Sequence, residues 1–182
     1  MTQLYPEELK MMIRVTAFSI CIVSTLLCES LIAEDRIEVR LIDPRIVTHT
    51  TDTIGIGYSN AKTDVIALRR LTQSESSKLR PLLKAELSSS RDVPFCGHSP
   101  AYAITITTAK GKASTVTLCG LCGTWARDGD LRVLKGKLAL EYLRELLPLP
   151  DVFSSVNRLP DLMRIDRSVA FHLLPPQPSS DE

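Results

Sequence analysis

Four residues in the middle of the chain have the side chains and the spacing of a metal or redox site. Cys96 and His98 form a Cys-x-His pair, and after 20 further residues Cys119 and Cys122 form a Cys-x-x-Cys pair. Cysteine sulfur and histidine nitrogen are the usual ligands of zinc, which prefers four of them in a tetrahedron. The glycines beside these residues allow the backbone to fold closely around an ion. One interpretation is therefore a structural zinc site formed by Cys96, His98, Cys119 and Cys122.

Disulfide and redox chemistry are the alternatives for the same cysteines. A disulfide would join Cys119 to Cys122, or Cys96 to one of them, and a bridge from Cys96 would constrain the unfolded chain by about 3 kcal/mol. A redox-active pair needs a helix N-terminus that stabilises the thiolate, and no helix pattern follows Cys122. Haem attachment is excluded because Gly123, and not a histidine, follows the second cysteine. The disulfide and the structural metal both stay open.

The segment between the two pairs has the pattern of a β-hairpin. Apolar and polar residues alternate on both sides of Gly111, which is typical of two antiparallel strands joined by a turn. With the turn centred there, Cys119 lies across from Ala103 and Cys122 lies across from Pro100. The hairpin is therefore expected to bring both pairs to one end of a small sheet.

Two amphipathic helices are predicted on either side of this hairpin. The first covers residues 74–87, behind a capping box formed by Thr72 and Glu75, and the second covers residues 137–147. The predicted fold class is α+β, a small antiparallel sheet with a central hairpin packed on two amphipathic helices. Further short strands are predicted at residues 37–42, 64–70 and 131–134. The helix residues expected in the core are Leu79, Leu83, Tyr142, Leu143 and Leu146.

The N-terminus has the pattern of an export signal. Residues 15–28 contain no charged side chain and follow Arg14, like the basic and apolar regions of a secretory signal peptide. The uncharged run is shorter than the ~20 residues of a membrane-spanning helix. We expect a signal peptide over residues 1–33, with the true start at Met11 or Met12. An uncleaved N-terminal anchor and a buried first helix are the alternatives.

The rest of the chain is expected to form one domain with a tail. Residues 34–150 would be a single α+β domain with the cysteine site, followed by an irregular extension over 151–174 and a disordered, proline-rich end over 175–182. The net charge of +1 and the 5% aromatic content argue against a nucleic-acid partner. The chain is expected to contact a membrane only through the signal peptide or an uncleaved N-terminal anchor.

The order of these motifs resembles that of small exported bacterial proteins of uncharacterised function. The resemblance rests on Cys-x-x-x-Pro, an aliphatic strand, a glycine turn and Cys-x-x-Cys, and it covers about residues 64–150. It implies a bacterial protein that is exported to the periplasm or secreted. It brings no activity, ligand or partner with it.

The expected function is that of an exported non-enzymatic module of unknown role, stabilised by its cysteine site. The sequence shows no pairing of a nucleophile with a base, or of two acids, that a reaction would need. Such a module would bind a protein or an envelope partner. The alternative is an exported metal-binding or thiol-redox protein that uses Cys96, His98, Cys119 and Cys122. The expected cofactor is zinc or none.

Overall fold

A computed structural model of the chain describes residues 35–87, 97–156 and 158–171. The predicted signal peptide, Cys96 and the predicted proline-rich tail lie outside these residues. Within the described ranges, no helix has both the length and the apolar character needed to cross a membrane.

Strands dominate the described part of the chain, and two helices longer than one turn accompany them. The strands are β1 (Arg36–Ile42), β2 (Thr53–Gly55), β3 (Lys62–Arg70), β4 (Pro100–Thr107), β5 (Ala113–Cys119), β6 (Thr124–Arg127) and β7 (Asp130–Val133). The helices are α1 (Gln73–Glu86), α2 (Leu138–Leu146), α3 (Asp151–Ser154) and α4 (Leu159–Leu162).

The strands form one antiparallel sheet in the order β2-β3-β1-β4-β5-β6-β7, which curls into a half-barrel. β1 lies between β3 and β4 and is antiparallel to both. β3 and β4 therefore run in the same direction, and α1 lies in the connection between them. From β4 to β7 each strand pairs with the next one along the chain.

One face of the sheet packs against the two longer helices. Successive side chains of a strand point to opposite faces, so alternate residues of each strand enter this core. The predicted core positions Tyr142 and Leu146 are only half-buried, and Leu138 at the start of α2 is 60% exposed. The buried cluster joins strand residues to helix leucines and includes Val39, Ile104, Leu118, Leu79, Leu83 and Leu143.

The opposite face of the sheet is covered by the chain between β1 and β3. Ile42, Val65 and Ala103 form a second, smaller core there, and Ile54 of β2 packs against it. We call residues 43–61 the covering segment, because part of it lies over β5 and β6. Polar side chains on this second face are therefore enclosed between the sheet and the covering segment.

Side-chain oxygens satisfy backbone N–H groups at the start of both longer helices. The predicted capping box of α1 is confirmed, since Glu75 N donates to Thr72 Oγ1 at 3.3 Å and Thr72 N donates to Glu75 Oε2 at 2.9 Å. At α2, the buried carboxylate of Glu86 accepts from Leu138 N at 2.8 Å and from Ala139 N at 3.2 Å. The last residue of α1 therefore also caps the start of α2.

The predicted fold class is wrong, although several of its elements are confirmed. The hairpin, both helices and the strands at the positions of β1 and β3 are present. The sheet, however, has seven strands and is the main layer of the fold, not a small sheet on two helices. Local alternation shows that a segment is extended, but it does not show that β1 joins β3 to β4 or that β6 and β7 extend the hairpin.

Candidate functional site

His98 is buried on the second face of the sheet, beneath the covering segment. It stands just before β4 and is 2% exposed. Its Nδ1 is 2.9 Å from Thr124 Oγ1, and its Nε2 is 2.9 Å from Thr117 Oγ1. We call His98, Thr117 and Thr124 the histidine cluster. Both ring nitrogens of His98 are engaged with threonine hydroxyl groups of β5 and β6.

The hydrogen bonds of the histidine cluster fix the tautomer of the imidazole. The Thr117 hydroxyl has one proton, and it donates that proton to the Ile56 carbonyl at 2.8 Å. Thr117 Oγ1 must therefore accept from His98, so we assign the ring proton to Nε2. Nδ1 is then an acceptor, and the Thr124 hydroxyl donates to it. Each polar atom of the cluster has a partner, and the chain of bonds ends on a backbone carbonyl of the covering segment.

Burial keeps His98 in its neutral form. Removal from water disfavours the charged imidazolium and lowers the pKa of His98 from 6.5 to about 4. At neutral pH the ring therefore carries no charge, which leaves Nδ1 without a proton and able to accept from Thr124. A neutral ring whose two nitrogens are both bonded in the interior has no free position for proton transfer to a substrate.

Tyr58 and Gly57 close the covering segment over the histidine cluster. The Tyr58 ring meets the His98 ring edge-on, with centroids 5.5 Å apart and an interplanar angle of 88°. Gly57 has a φ of +83°, and a Cβ at this position would lie 2.8 Å from the Ala126 carbonyl oxygen. Its own carbonyl accepts from Gly129 N at 2.8 Å. A side chain at residue 57 would therefore push the covering segment away from β6.

The Cys-x-x-Cys motif forms a tight turn at the end of β5. Cys122 N donates to Cys119 Sγ at 3.2 Å. Cys119 is completely buried, whereas Cys122 is half-buried. Gly123 follows with a φ of +60°, the left-handed conformation that glycine adopts without strain. Within the described residues, the two cysteines are not bridged to each other.

Contacts from the end of β7 and from α2 fix this cysteine turn, residues 119–123. Leu134 N donates to the Gly123 carbonyl at 2.8 Å. Arg144 Nη2 donates to the Gly120 carbonyl at 2.9 Å. A Cβ on Gly120 would lie 3.1 Å from Ala101 Cβ, so the turn packs closely on the start of β4. The cysteine turn is therefore held in shape by contacts outside itself.

The structure brings three of the four predicted site residues to one end of the sheet. The register of the hairpin differs from the prediction: Cys119 lies across from Pro100, and Ala103 lies across from Thr117. There are two reasons: the turn is centred on Lys110, one residue before Gly111, with Thr107 paired to Ala113, and a β-bulge between Pro100 and Tyr102 shifts the register by one further residue. Cys96 lies outside the described residues, so the convergence of all four stays a prediction.

A zinc site at these residues stays a prediction as well. In the described ranges, no three His, Cys, Asp or Glu side chains are grouped closely enough to hold a metal ion. A ligand role for His98 would require its ring to give up one of the two threonine hydrogen bonds. Thr117 and Thr124, which hold the ring instead, were not recognisable from the sequence, because threonine is an ordinary strand residue.

A second buried polar cluster joins the covering segment to the C-terminal part of the chain. Arg45 is 1% exposed, and its guanidinium binds the Asp43 carboxylate through Nε at 3.0 Å and Nη2 at 2.6 Å. The same guanidinium donates to the carbonyl groups of Asp166 and Val169. It also lies 4.7 Å from the centroid of the Phe171 ring. We call this set of contacts the arginine cluster.

The arginine cluster receives support from its neighbours. Arg167 Nη2 donates to the Arg45 carbonyl at 2.6 Å, and His49 Nε2 contacts the Arg167 carbonyl. The covering segment is thus fastened to residues 166–171, which belong to the predicted irregular extension. No part of this cluster was predicted from the sequence, where residues 43–45 indicate only a turn after a strand.

Comparison with known proteins gives no match to this chain: no family model, no curated protein and no solved structure resembles it.

Proposed function

We propose that this chain is an exported, non-enzymatic module that binds a protein or an envelope partner. In this proposal the end of the sheet that carries the cysteine turn and the histidine cluster serves to stabilise the fold.

The non-enzymatic part of this proposal rests on the hydrogen bonds and the burial of His98. It is the one residue among the four candidates that commonly acts as a general acid or base. Both of its ring nitrogens are bonded to threonine hydroxyls at 2.9 Å, and its pKa is lowered to about 4 by burial. These features support a role in holding the covering segment on the sheet rather than a role in proton transfer.

Export is supported by the sequence of the N-terminal segment. The uncharged run over residues 15–28 behind Arg14 is typical of a secretory signal. The full-length chain should therefore be recovered from the periplasm or the medium of a bacterial host, with a mature N-terminus near Glu34 by mass spectrometry. Recovery from the cytosol with Thr2 or Met11 at the N-terminus would contradict this part of the proposal.

Substitution of His98 tests the structural role directly. His98→Ala leaves both threonine hydroxyls without their partner in the interior and should lower the free energy of unfolding by at least about 2 kcal/mol. The matched control is His49→Ala, because His49 is exposed and its side chain makes one surface contact, with the Arg167 carbonyl, so the variant should lose no more than about 1 kcal/mol. If both variants unfold at the same urea concentration as the original chain, His98 is not structural and the proposal fails.

A second candidate function is favoured by the geometry of the cysteine turn. An N–H group directed at Cys119 Sγ, in a turn that other elements hold in shape, is an arrangement that suits a sulfur ligand of a metal. The second candidate is therefore an exported metal-binding or thiol-redox protein. It differs from the first in that the cysteines would bind and release a metal ion, or change between thiol and disulfide, in the working protein. Reversible exchange of a metal or a reversible thiol–disulfide change in the exported chain would favour it, whereas a metal or disulfide that is never exchanged fits the first candidate.

A further inference from the structure

The second face of the sheet continues beyond the covering segment as a solvent-facing region that ends at the turn between β4 and β5. We call this region the basic surface; its members are Arg36, Arg40, Leu68, Arg70, Lys110 and Lys112. We propose that the basic surface binds the headgroups of an anionic lipid membrane. The proposal rests on the function proposed above, an exported module with a protein or envelope partner, and names lipid as that partner. It adds a contact of the folded domain to the membrane contact that the sequence predicts for the N-terminal segment.

Strand pairing places the side chains of the basic surface on one face. Alternate residues of β1, beginning with Arg36, point away from the helices, because the residues between them are completely buried in the core. Their partners in β3 point the same way: Arg70 lies across from Glu38, and Leu68 lies across from Arg40. The long side chains of two neighbouring strands therefore share one patch of surface.

The basic surface carries an excess of positive charge. Glu38 lies among its cations and binds Arg40 Nη2 at 2.9 Å and Arg70 Nε at 3.2 Å, but the Glu38 side chain is only 17% exposed. The Arg70 side chain is 70% exposed. The ion pairs among the described residues do not involve the other three cations, which are all exposed. The five cations therefore outnumber the carboxylate between them.

This excess is local, because the chain as a whole is nearly neutral. The net charge of all 182 residues is +1, so the remainder of the molecule is net acidic. A molecule with charge separated in this way is oriented by the field of a negative surface. Each lysine or arginine beside an anionic membrane strengthens binding by about fivefold. The basic surface is thus the side of the domain that an anionic membrane attracts.

The make-up of the basic surface suits many identical headgroups. Arg40 Nη1 donates to Thr105 Oγ1 at 3.0 Å, which holds this guanidinium against the sheet. Leu68 is 42% exposed among the cations and can enter the boundary between headgroups and acyl chains. The lysines reach out from the turn on flexible stems and can follow headgroups in a fluid bilayer.

The place where the N-terminal segment joins the domain brings a membrane to this surface. Asp35 Oδ1 accepts from Ala109 N at 3.2 Å, so the chain enters the domain beside the turn that carries Lys110 and Lys112. The six residues 29–34 separate Asp35 from the uncharged run and span at most about 22 Å. That run lies in the membrane during export, whether it is a signal peptide or an uncleaved anchor. Asp35 and the turn beside it are then held within this length of the bilayer.

Flotation of the exported chain with lipid vesicles tests the proposal. Vesicles of phosphatidylcholine are compared with vesicles in which about one third of the lipid is anionic phosphatidylglycerol. We expect stronger binding to the anionic vesicles, and this preference should weaken as salt is added. A chain that keeps its apolar run binds both kinds of vesicle. Modification of Lys110 and Lys112 by an amine-reactive reagent, read by mass spectrometry, is therefore the second measurement, and anionic vesicles alone should protect them.

Two double variants with the same net charge separate the basic surface from the overall charge. Lys110→Gln with Lys112→Gln should weaken binding to anionic vesicles by about 30-fold, from about fivefold for each cation. The matched control is Lys78→Gln with Lys84→Gln, because both lysines are exposed on α1, which packs on the other face of the sheet. The control should bind as the original chain does. Both variants should unfold at the urea concentration of the original chain, since all four side chains are exposed.

Equal binding to the two kinds of vesicle, with equal modification of Lys110 and Lys112, would overturn the proposal. An equal loss of binding in the two double variants would also overturn it, because the effect would then follow the net charge and not the basic surface. If the chain binds neither kind of vesicle, the basic surface serves an acidic protein instead of lipid. Each of these results leaves the export and His98 measurements unchanged, so failure of the lipid proposal and failure of the proposed function are read separately.

Discussion

The histidine cluster and the arginine cluster fasten the same covering segment in two different ways. The histidine cluster joins it to the sheet through uncharged groups, ending at the Ile56 carbonyl. The arginine cluster joins it to residues 166–171 through a buried ion pair, with side-chain exposures of 0% for Arg45 and 2% for Asp43. The comparison shows that one segment can be held in two ways. Protonation of His98 in acid should disrupt the neutral contact, whereas the charged contact is lost when either ion of the Arg45–Asp43 pair is removed.

The energetic consequences of the two clusters differ for a physical reason. A neutral, fully bonded network contributes a modest net free energy, because its groups exchange hydrogen bonds with water for bonds within the protein. A buried ion pair is also a modest net contributor while it is complete. Removal of one ion, however, leaves a buried charge without compensation and is strongly destabilising. The arginine cluster should therefore give the largest response to a single substitution.

Arg45→Met should lower the free energy of unfolding by about 3–5 kcal/mol. The substitution leaves the buried Asp43 carboxylate without its guanidinium and frees the carbonyl groups of Asp166 and Val169. Equilibrium unfolding in urea measures the loss. Limited proteolysis should at the same time show faster cleavage within residues 166–171.

Two further variants sharpen this test. Arg80→Met removes an ion pair with Asp35 whose side chains are 38% and 35% exposed, and it should cost no more than about 1 kcal/mol. The double variant Asp43→Asn with Arg45→Met should be more stable than Arg45→Met alone, because no buried charge remains. If Arg45→Met costs no more than Arg80→Met, the charged cluster does not hold the covering segment.

The histidine cluster should respond to pH. The unfolded chain takes up a proton on His98 as the pH falls through 6.5, whereas the folded chain does so only near pH 4. Stability should therefore be complete above pH 6.5 and fall between pH 6.5 and 4. At about 1.4 kcal/mol for each pH unit in this window, the total loss is about 3 kcal/mol.

Comparison with His98→Gln isolates the contribution of the imidazole to this pH dependence. Carboxylates also titrate at the acidic end of the window, but they are the same in both chains and cancel in the difference. The difference in the free energy of unfolding between the two chains should shrink as the pH falls from 6.5 to 4. A difference that stays constant over this range would mean that His98 is protonated at the same pH in the folded and unfolded chains.

Parts of the fold that depend on local sequence could be predicted, and parts that depend on distant contacts could not. The capping box of Thr72 and Glu75 and the central hairpin are local patterns, and both are confirmed. The sheet order depends on contacts such as the one between Arg40 and Thr105, which are 65 residues apart. Alternation of apolar residues carries no information about which strands become neighbours.

The candidate site shows the same division between local and distant information. Cys119 and Cys122 were recognised as a pair from their spacing, and the structure places them on one turn. The orientation of His98 was not predicted, because it depends on threonines 19 and 26 residues further along the chain. The arginine cluster joins Arg45 to a carbonyl group 124 residues away, at Val169. A one-residue displacement of the hairpin turn was enough to change which residue lies across from Cys119.

Thr117→Val should lower the free energy of unfolding by about 1–3 kcal/mol. Valine has the same shape but no hydroxyl, so the Nε2–H group of His98 and the Ile56 carbonyl both lose a buried partner. Thr115→Val is the matched control, because Thr115 lies two residues earlier on the same face of β5. Its hydroxyl forms a hydrogen bond with the Thr105 hydroxyl in a part-buried position, so its loss should cost less. Equal losses in the two variants would contradict the special position of the histidine cluster.

Tyr58→Ala should have the smallest effect on stability at neutral pH and a distinct effect in acid. The loss of the edge-on ring contact with His98 should cost about 0.5–1.5 kcal/mol at pH 7. Without the ring, water reaches the imidazole, so the pKa of His98 in the folded chain should rise from about 4 toward 6.5. The folded and unfolded chains then take up the proton on His98 at closer pH values, and the stability lost on acidification should be smaller than in the original chain.

Tyr58→Phe keeps the ring and should retain the full pH dependence, as measured by urea unfolding at several pH values. An unchanged pH dependence in Tyr58→Ala would show that the sheet alone, and not the covering segment, keeps His98 neutral.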